Sequence, residues 1–99
     1  MTQVPAAVSR IEEHDPEFLN DLAATAADAF SPGDLEVKYK FLLAMALDAQ
    51  ANHPGGVKSF ARRAREAGAT EREIVETLRV VFYLGGMQSL VVGATALEV

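Results

Sequence analysis

The stretch AREAGATEREIVETLRVV, residues 64–81, decides the fold class of this chain. Gly68 stands where a helix should end, because glycine adopts the left-handed backbone of a helix C-terminus at least steric cost. Thr70, with Glu73 three residues on, forms a capping box: the Thr hydroxyl accepts from the N–H of Glu73, and the Glu carboxylate accepts from the N–H of Thr70. Behind the box, Ile74, Leu78, Val81 and Phe82 recur at helical spacing. One helix stops and another starts within a few residues.

Reading upstream, PGGVKSFARRAREAG gives a helix with Pro54 at its first position, capped by Asn52 or His53. Val57, Phe60, Ala61, Ala64 and Gly68 face inward, while Lys58, Arg62, Arg63 and Arg65 form an outward basic run. Before it, LEVKYKFLLAMALDAQAN is apolar nearly all round in its second half and reads as the core helix. The pattern at HDPEFLNDLAATAADAF predicts a helix from Pro16 to Phe30, capped by Asp15 and broken by SPGD. Downstream, GGMQSLVVGATALEV is a last helical segment that Gly85-Gly86 kinks or breaks from its predecessor. No strand or repeat is visible. The chain is expected to be all-α, with about five helices in a single domain over 15–99 and an N-terminal tail over 1–14.

Composition narrows the function classes. The 99 residues are 49% hydrophobic and 23% charged, with a net charge of -5. That balance suits one compact domain and argues against a nucleic-acid partner, which would need concentrated Lys and Arg. Residues 1–13 hold no apolar run of signal-peptide length, and no run of about 18 consecutive apolar residues predicts a membrane span, so a cytoplasmic location is expected. So small a chain buries only about two thirds of its unfolded surface, so this much apolar sequence predicts a homo-oligomer assembled through the C-terminal helices. The cysteine count is zero, which removes thiol catalysis, thiolate metal sites and disulfides together.

The run AREAGATEREIVETLRVV, preceded by an apolar helix and followed by YLGGMQSLVVGATALEV, resembles the carboxymuconolactone decarboxylase family, which includes the alkylhydroperoxidase D-like proteins. The likeness covers roughly residues 35–99. It implies a compact helical domain that assembles as dimers, trimers or hexamers, here most simply a trimer or hexamer, with a pocket at the helix ends near the subunit contact. In the peroxidatic branch that pocket holds a Glu, a Cys-x-x-Cys and a His. Anchored on Ala67, Gly68, Ala69 and Thr70, these positions fall on Phe41, on His53 and Gly56, and on Phe60. All four are replaced, and the His that the decarboxylase branch keeps at the Phe60 position is missing too.

His53 is the remaining acid or base of that corner, and a helix N-terminus favours its neutral form. The plainer alternative is a solvated cap ahead of Pro54. Asp48, in the last turn of a helix, opposes the macrodipole and so needs an offset, which a pocket role would supply; a solvated stripe of Glu36, Lys40, Ala44 and Asp48 would supply another. Phe41, Phe60, Phe82 and Tyr83 could line an apolar pocket, and Gln88 could orient a ligand, with core packing and a structural hydrogen bond as the alternatives. His14 and His53 share no helix face, so no metal site is expected, and no cofactor is implied.

Two readings from different classes stand. One is a lyase or isomerase acting on a carboxylated lactone or similar metabolite, with His53 and Asp48 moving protons. The other is a non-catalytic oligomeric binding or assembly protein on the same scaffold. Both share one expected outcome: lacking a thiolate to attack peroxide and a second thiol to resolve it, the purified protein should reduce no hydroperoxide with dithiol donors. Peroxide consumption at the rate of a protein-free control, after metal removal, is the expected result.

Overall fold

The computed structural model describes residues 5–99; residues 1–4 of the expected tail lie outside the described residues. The chain divides into two compact units, one ending at Ser31 and the other spanning Pro32–Val99. Among the described residues every regular element is helical.

In the first unit a 3-10 helix, Ala6–Glu13, leads into α1, Pro16–Phe30. The start of α1 is as the sequence predicts: Asp15 accepts from the N–H of Phe18 at 3.1 Å, and Pro16 occupies the first helical position, where a missing N–H costs nothing. The end of α1 follows from the proline, since Ser31 is extended ahead of Pro32.

The second unit contains α2 (Val37–Gln50), α3 (Pro54–Glu66) and α4 (Glu71–Gly93), then a 3-10 helix, Ala94–Glu98. Its core is made of Met45 and Ala49 from α2, Val57, Ala61 and Ala64 from α3, and Ile74, Leu78, Val81 and Val92 from α4. The α2–α3 contact is rich in alanine, and small side chains let helix axes approach closely without leaving voids.

The turn from α3 to α4 has the geometry expected of its sequence. Gly68 has φ +102°, the N–H of Ala69 donates to Ala64 O at 2.8 Å, and the N–H of Gly68 donates to Arg65 O at 3.0 Å. These two bonds satisfy the last carbonyls of α3. Both bonds of the Thr70–Glu73 capping box then open α4, at 3.0 and 2.8 Å.

α4 is two helical arms. Gly86, at φ +81° and ψ -172°, interrupts it. In a straight helix Leu78 and Gly93 would stand about 22 Å apart. Here a Cβ built on Gly93 would lie 2.7 Å from Leu78 Cδ2, so the second arm doubles back onto the first. With α4 counted as two arms, the α-helical runs among the described residues number five. By length and composition Glu71–Glu98 is apolar enough to cross a membrane, and only 28% of its most apolar window is buried in the chain. The reversal at Gly86 means that the stretch is not one continuous rod.

Arg65 corrects the reading of the basic run as an outward face. Its Nη2 donates to Glu71 Oε1 at 2.8 Å and to Ala96 O at 3.0 Å, pinning the C-terminal 3-10 helix to the α3–α4 turn. Lys58 reaches Glu98 at 3.1 Å, and Lys38 ties α2 to Glu73 of α4 at 3.1 Å.

The hydrogen bond from the Thr70 N–H, with the help of Lys38, holds the Glu73 carboxyl below its ordinary 4.5, and the Arg65 hydrogen bond does the same for Glu71. A carboxylate whose folded pKa is lowered adds stability above its unfolded value, and that stability is lost as pH falls through the folded pKa. Urea midpoints should therefore hold steady above about pH 5 and fall as the pH drops below 4.5. Thr70→Ala should cost about 1 kcal/mol at neutral pH through its lost cap and leave the acid limb in place, because alanine keeps the N–H that bonds the Glu73 carboxylate.

Candidate functional site

The corner between α2 and α3 is built by backbone geometry. Asn52 has φ +62°, a left-handed conformation that Asn tolerates better than most residues. The N–H of Asn52 donates to Ala49 O at 3.3 Å and that of His53 to Asp48 O at 2.8 Å, the same pair of bonds that closes α3 at Gly68. Asn52 therefore ends α2 and does not cap α3. His53 occupies the N-cap position of α3, but its side chain makes no capping hydrogen bond.

This turn brings together the two residues read as proton-handling groups. His53 Nδ1 lies 3.6 Å from Asp48 Oδ1, an ion-pair distance slightly beyond a hydrogen bond. The Asp48 side chain is three-quarters covered, with 25% of its surface exposed, while 67% of the imidazole is open. Asp48 is covered because Gly56 has no side chain: a Cβ there would stand 2.7 Å from Asp48 Cγ and closer still to Oδ2. At the position that the resemblance aligns with the second cysteine of the peroxidatic branch, the space beside the backbone is filled by a carboxylate.

The other candidate residues lie on α2 (Phe41), α3 (Phe60) and α4 (Phe82, Tyr83 and Gln88). Phe41 and Phe60 stack with ring centroids 6.2 Å apart and pack against the core, with the Arg63 guanidinium 5.4 Å from the Phe60 centroid. Tyr83 and Gln88 are exposed on α4. Among the described residues no cluster of three His, Asp or Glu side chains is placed to hold a metal ion.

Two open grooves run between α2 and α4. One, of about 580 Å³, is lined by Tyr39, Leu43 and Val80 with Glu73 and Glu76 at its polar end; the other, of about 420 Å³, continues past Leu47 and Leu84 to Gln50. Gln50 Oε1 and the buried Ser89 Oγ both occupy the space where a Cβ on Gly85 would project, and Ser89 Oγ donates to Gly85 O at 3.2 Å. The sequence reading did not place Gln50 or Ser89 here, since the fold-back at Gly86 is what carries Ser89 under the end of α2. The Gly85-Gly86 pair was the available signal.

The carboxymuconolactone decarboxylase family profile matches residues 16–98. The chain belongs to this family. A crystal structure of an apo carboxymuconolactone decarboxylase family protein from Legionella pneumophila is similar to it, with 33% identity and a TM-score of 0.83 over 93% of this chain and 82% of that one. So is the crystal structure of a proposed carboxymuconolactone decarboxylase from Burkholderia xenovorans LB400, with 25% identity and a TM-score of 0.87 over 96% of this chain and 75% of that one. An uncharacterised protein of Methanocaldococcus jannaschii is 28% identical over 95 residues, which is 95% of this chain and 89% of that protein. The family match thus reaches into the first unit, from residue 16, beyond the residues 35–99 that carry the sequence resemblance.

The dependence of Asp48 on Gly56 is testable. In Gly56→Ala the new methyl should displace the carboxylate, while alanine's better helix propensity, worth about 0.5–1 kcal/mol, keeps α3 intact. The expected outcome is an unchanged circular dichroism spectrum with His53 ring resonances moved as in Asp48→Asn; ring resonances identical to wild type would show that the carboxylate does not need this space.

Proposed function

We propose that this carboxymuconolactone decarboxylase family protein is a small-molecule lyase or isomerase acting on a carboxylated lactone-like metabolite, with His53 as its proton carrier. One observation carries the reading: Asp48 and His53, five residues apart, are set 3.6 Å from each other at a turn where Gly56 makes room for the carboxylate. A carboxylate beside Nδ1 can orient an imidazole, leaving the second ring nitrogen to exchange a proton with substrate. In a decarboxylation the bond to CO2 breaks, its electron pair passes into the lactone carbonyl system, and His53 delivers a proton to the carbon left behind. In an isomerisation the same nitrogen takes a proton from one carbon and returns it to another. Neither route needs a thiol.

A second reading, a non-catalytic assembly or binding protein, is favoured by the openness of the imidazole and by the exposed apolar residues of α2 and α4.

Incubating the protein with a panel of carboxylated lactones, and following CO2 release and deuterium uptake from D2O, tests the first reading. Turnover should fall at least about 100-fold in His53→Gln, the usual scale of general acid–base catalysis, and fall in Asp48→Asn as well, with melting curves close to wild type. Equal turnover in all three proteins would remove the pair from the chemistry. A panel on which the wild type neither acts nor binds would leave the assembly reading.

A further inference from the structure

The fold-back at Gly86 opens a further cleft, between the two arms of α4. Val75, Leu78 and Phe82 line it from the first arm at helical spacing, Leu90 lines it from the second, and Leu97 from the closing 3-10 helix, around a volume of about 410 Å³. One charged side chain joins them, Arg79, and no carboxylate does. Among the described residues the Arg79 guanidinium has no hydrogen-bond or ion-pair partner, and Glu76, one turn back on the same arm, is held by Arg72 at 3.0 Å. We infer that this cleft binds a free aliphatic monocarboxylate, with its chain between the two arms and its carboxylate on Arg79.

The chemistry of the lining selects the occupant. Phe82 and Leu97 are left 44% and 49% exposed, and an alkyl chain laid against them removes that apolar surface from water. Apart from the guanidinium, the lining side chains offer no hydrogen-bond donor or acceptor. A peptide or a sugar would therefore leave its own polar groups unpaired in the cleft, whereas an alkyl chain has none to satisfy. At the one polar point, a guanidinium matches a carboxylate through two parallel N–H···O bonds. A lipid surface fits less well, because surface binding takes a cluster of basic residues, and this cleft has one, on a chain of net charge -5. The volume falls within the range of about 300–1,000 Å³ usual for small-molecule sites.

The cleft shares no residue with the Asp48–His53 corner, so the inference does not rest on the proton-transfer reading and is measured without turnover. Octanoate titrated into the wild-type protein should bind with a Kd below about 1 mM by calorimetry. It should shift the backbone amide resonances of Leu78, Phe82 and Leu90 and leave that of His53 in place. Octanol, which has the same chain length without the charge, should bind at least about ten-fold more weakly, and octanoate should lose as much on Arg79→Gln, the scale of a charge-assisted hydrogen bond. Arg79→Gln should bind octanol as the wild type does, which separates loss of the cation from damage to the cleft. Butyrate, a head with little chain, should bind more weakly than octanoate. Ala94 also lines the cleft, and Ala94→Phe should fill it and abolish octanoate binding with the helical spectrum retained. If that variant fails to fold, the Arg79→Gln comparison alone decides the matter. No octanoate binding by the wild type at millimolar concentration, equal octanoate affinity in Arg79→Gln, octanol as tight as octanoate, shifts confined to residues outside the cleft, or flotation with phosphatidylcholine–phosphatidylglycerol vesicles that Arg79→Gln abolishes would each overturn the inference.

Discussion

Three residues with positive φ, Asn52, Gly68 and Gly86, turn the chain at the corners of the Pro32–Val99 unit. Every helix end leaves carbonyls without partners, and a reversal within two or three residues must satisfy them locally. At Asn52 and Gly68 the same pair of backbone bonds does so, and at Gly86 the helix gives up its regular dihedrals to fold back. Tight corners hold the helices close enough for an alanine-rich core to exclude water. The same corner that ends α2 sets His53 against Asp48, so the candidate chemistry is a by-product of how the chain satisfies its own carbonyls.

Around these corners a few polar contacts fix what the small core leaves loose. Arg65 reads both the start of α4 and the C-terminal 3-10 helix, and Glu73 serves the capping box and Lys38 at once. Each of these groups joins elements distant in sequence, which is why the C-terminal arm can return over Leu78 and stay there.

The helices were legible because their signals are local. Asp15-Pro16, the glycine at 68 and the Thr70–Glu73 box each specify a boundary through bonds spanning three to five residues, and each is observed where the residues place it. What was not legible depends on distance. Asn52 offers both an N-cap and a left-handed C-terminus, and the sequence does not say which carbonyls will need it. Arg65 sits in a run of basic residues, and only the returning 3-10 helix gives it a carbonyl to bind. In the site, Asp48 and His53 could be named from their positions, but the exposure of Tyr83 and Gln88 is set by the phase of α4, which a pattern of apolar residues on every side leaves open.

The contact between Asp48 and Gly56 also shapes which sequences this scaffold can pass through. A side chain at 56 and a carboxylate at 48 compete for one volume, so their substitutions cannot be additive: each changes what the other costs. A chain with a side chain at 56 must swing the carboxylate at 48 aside or shorten that residue, and a chain with Asp48 in this place admits only glycine at 56 without rearrangement. The two positions therefore behave as one coupled choice at the head of α3, and the cost of a change at either is defined only together with the residue at the other.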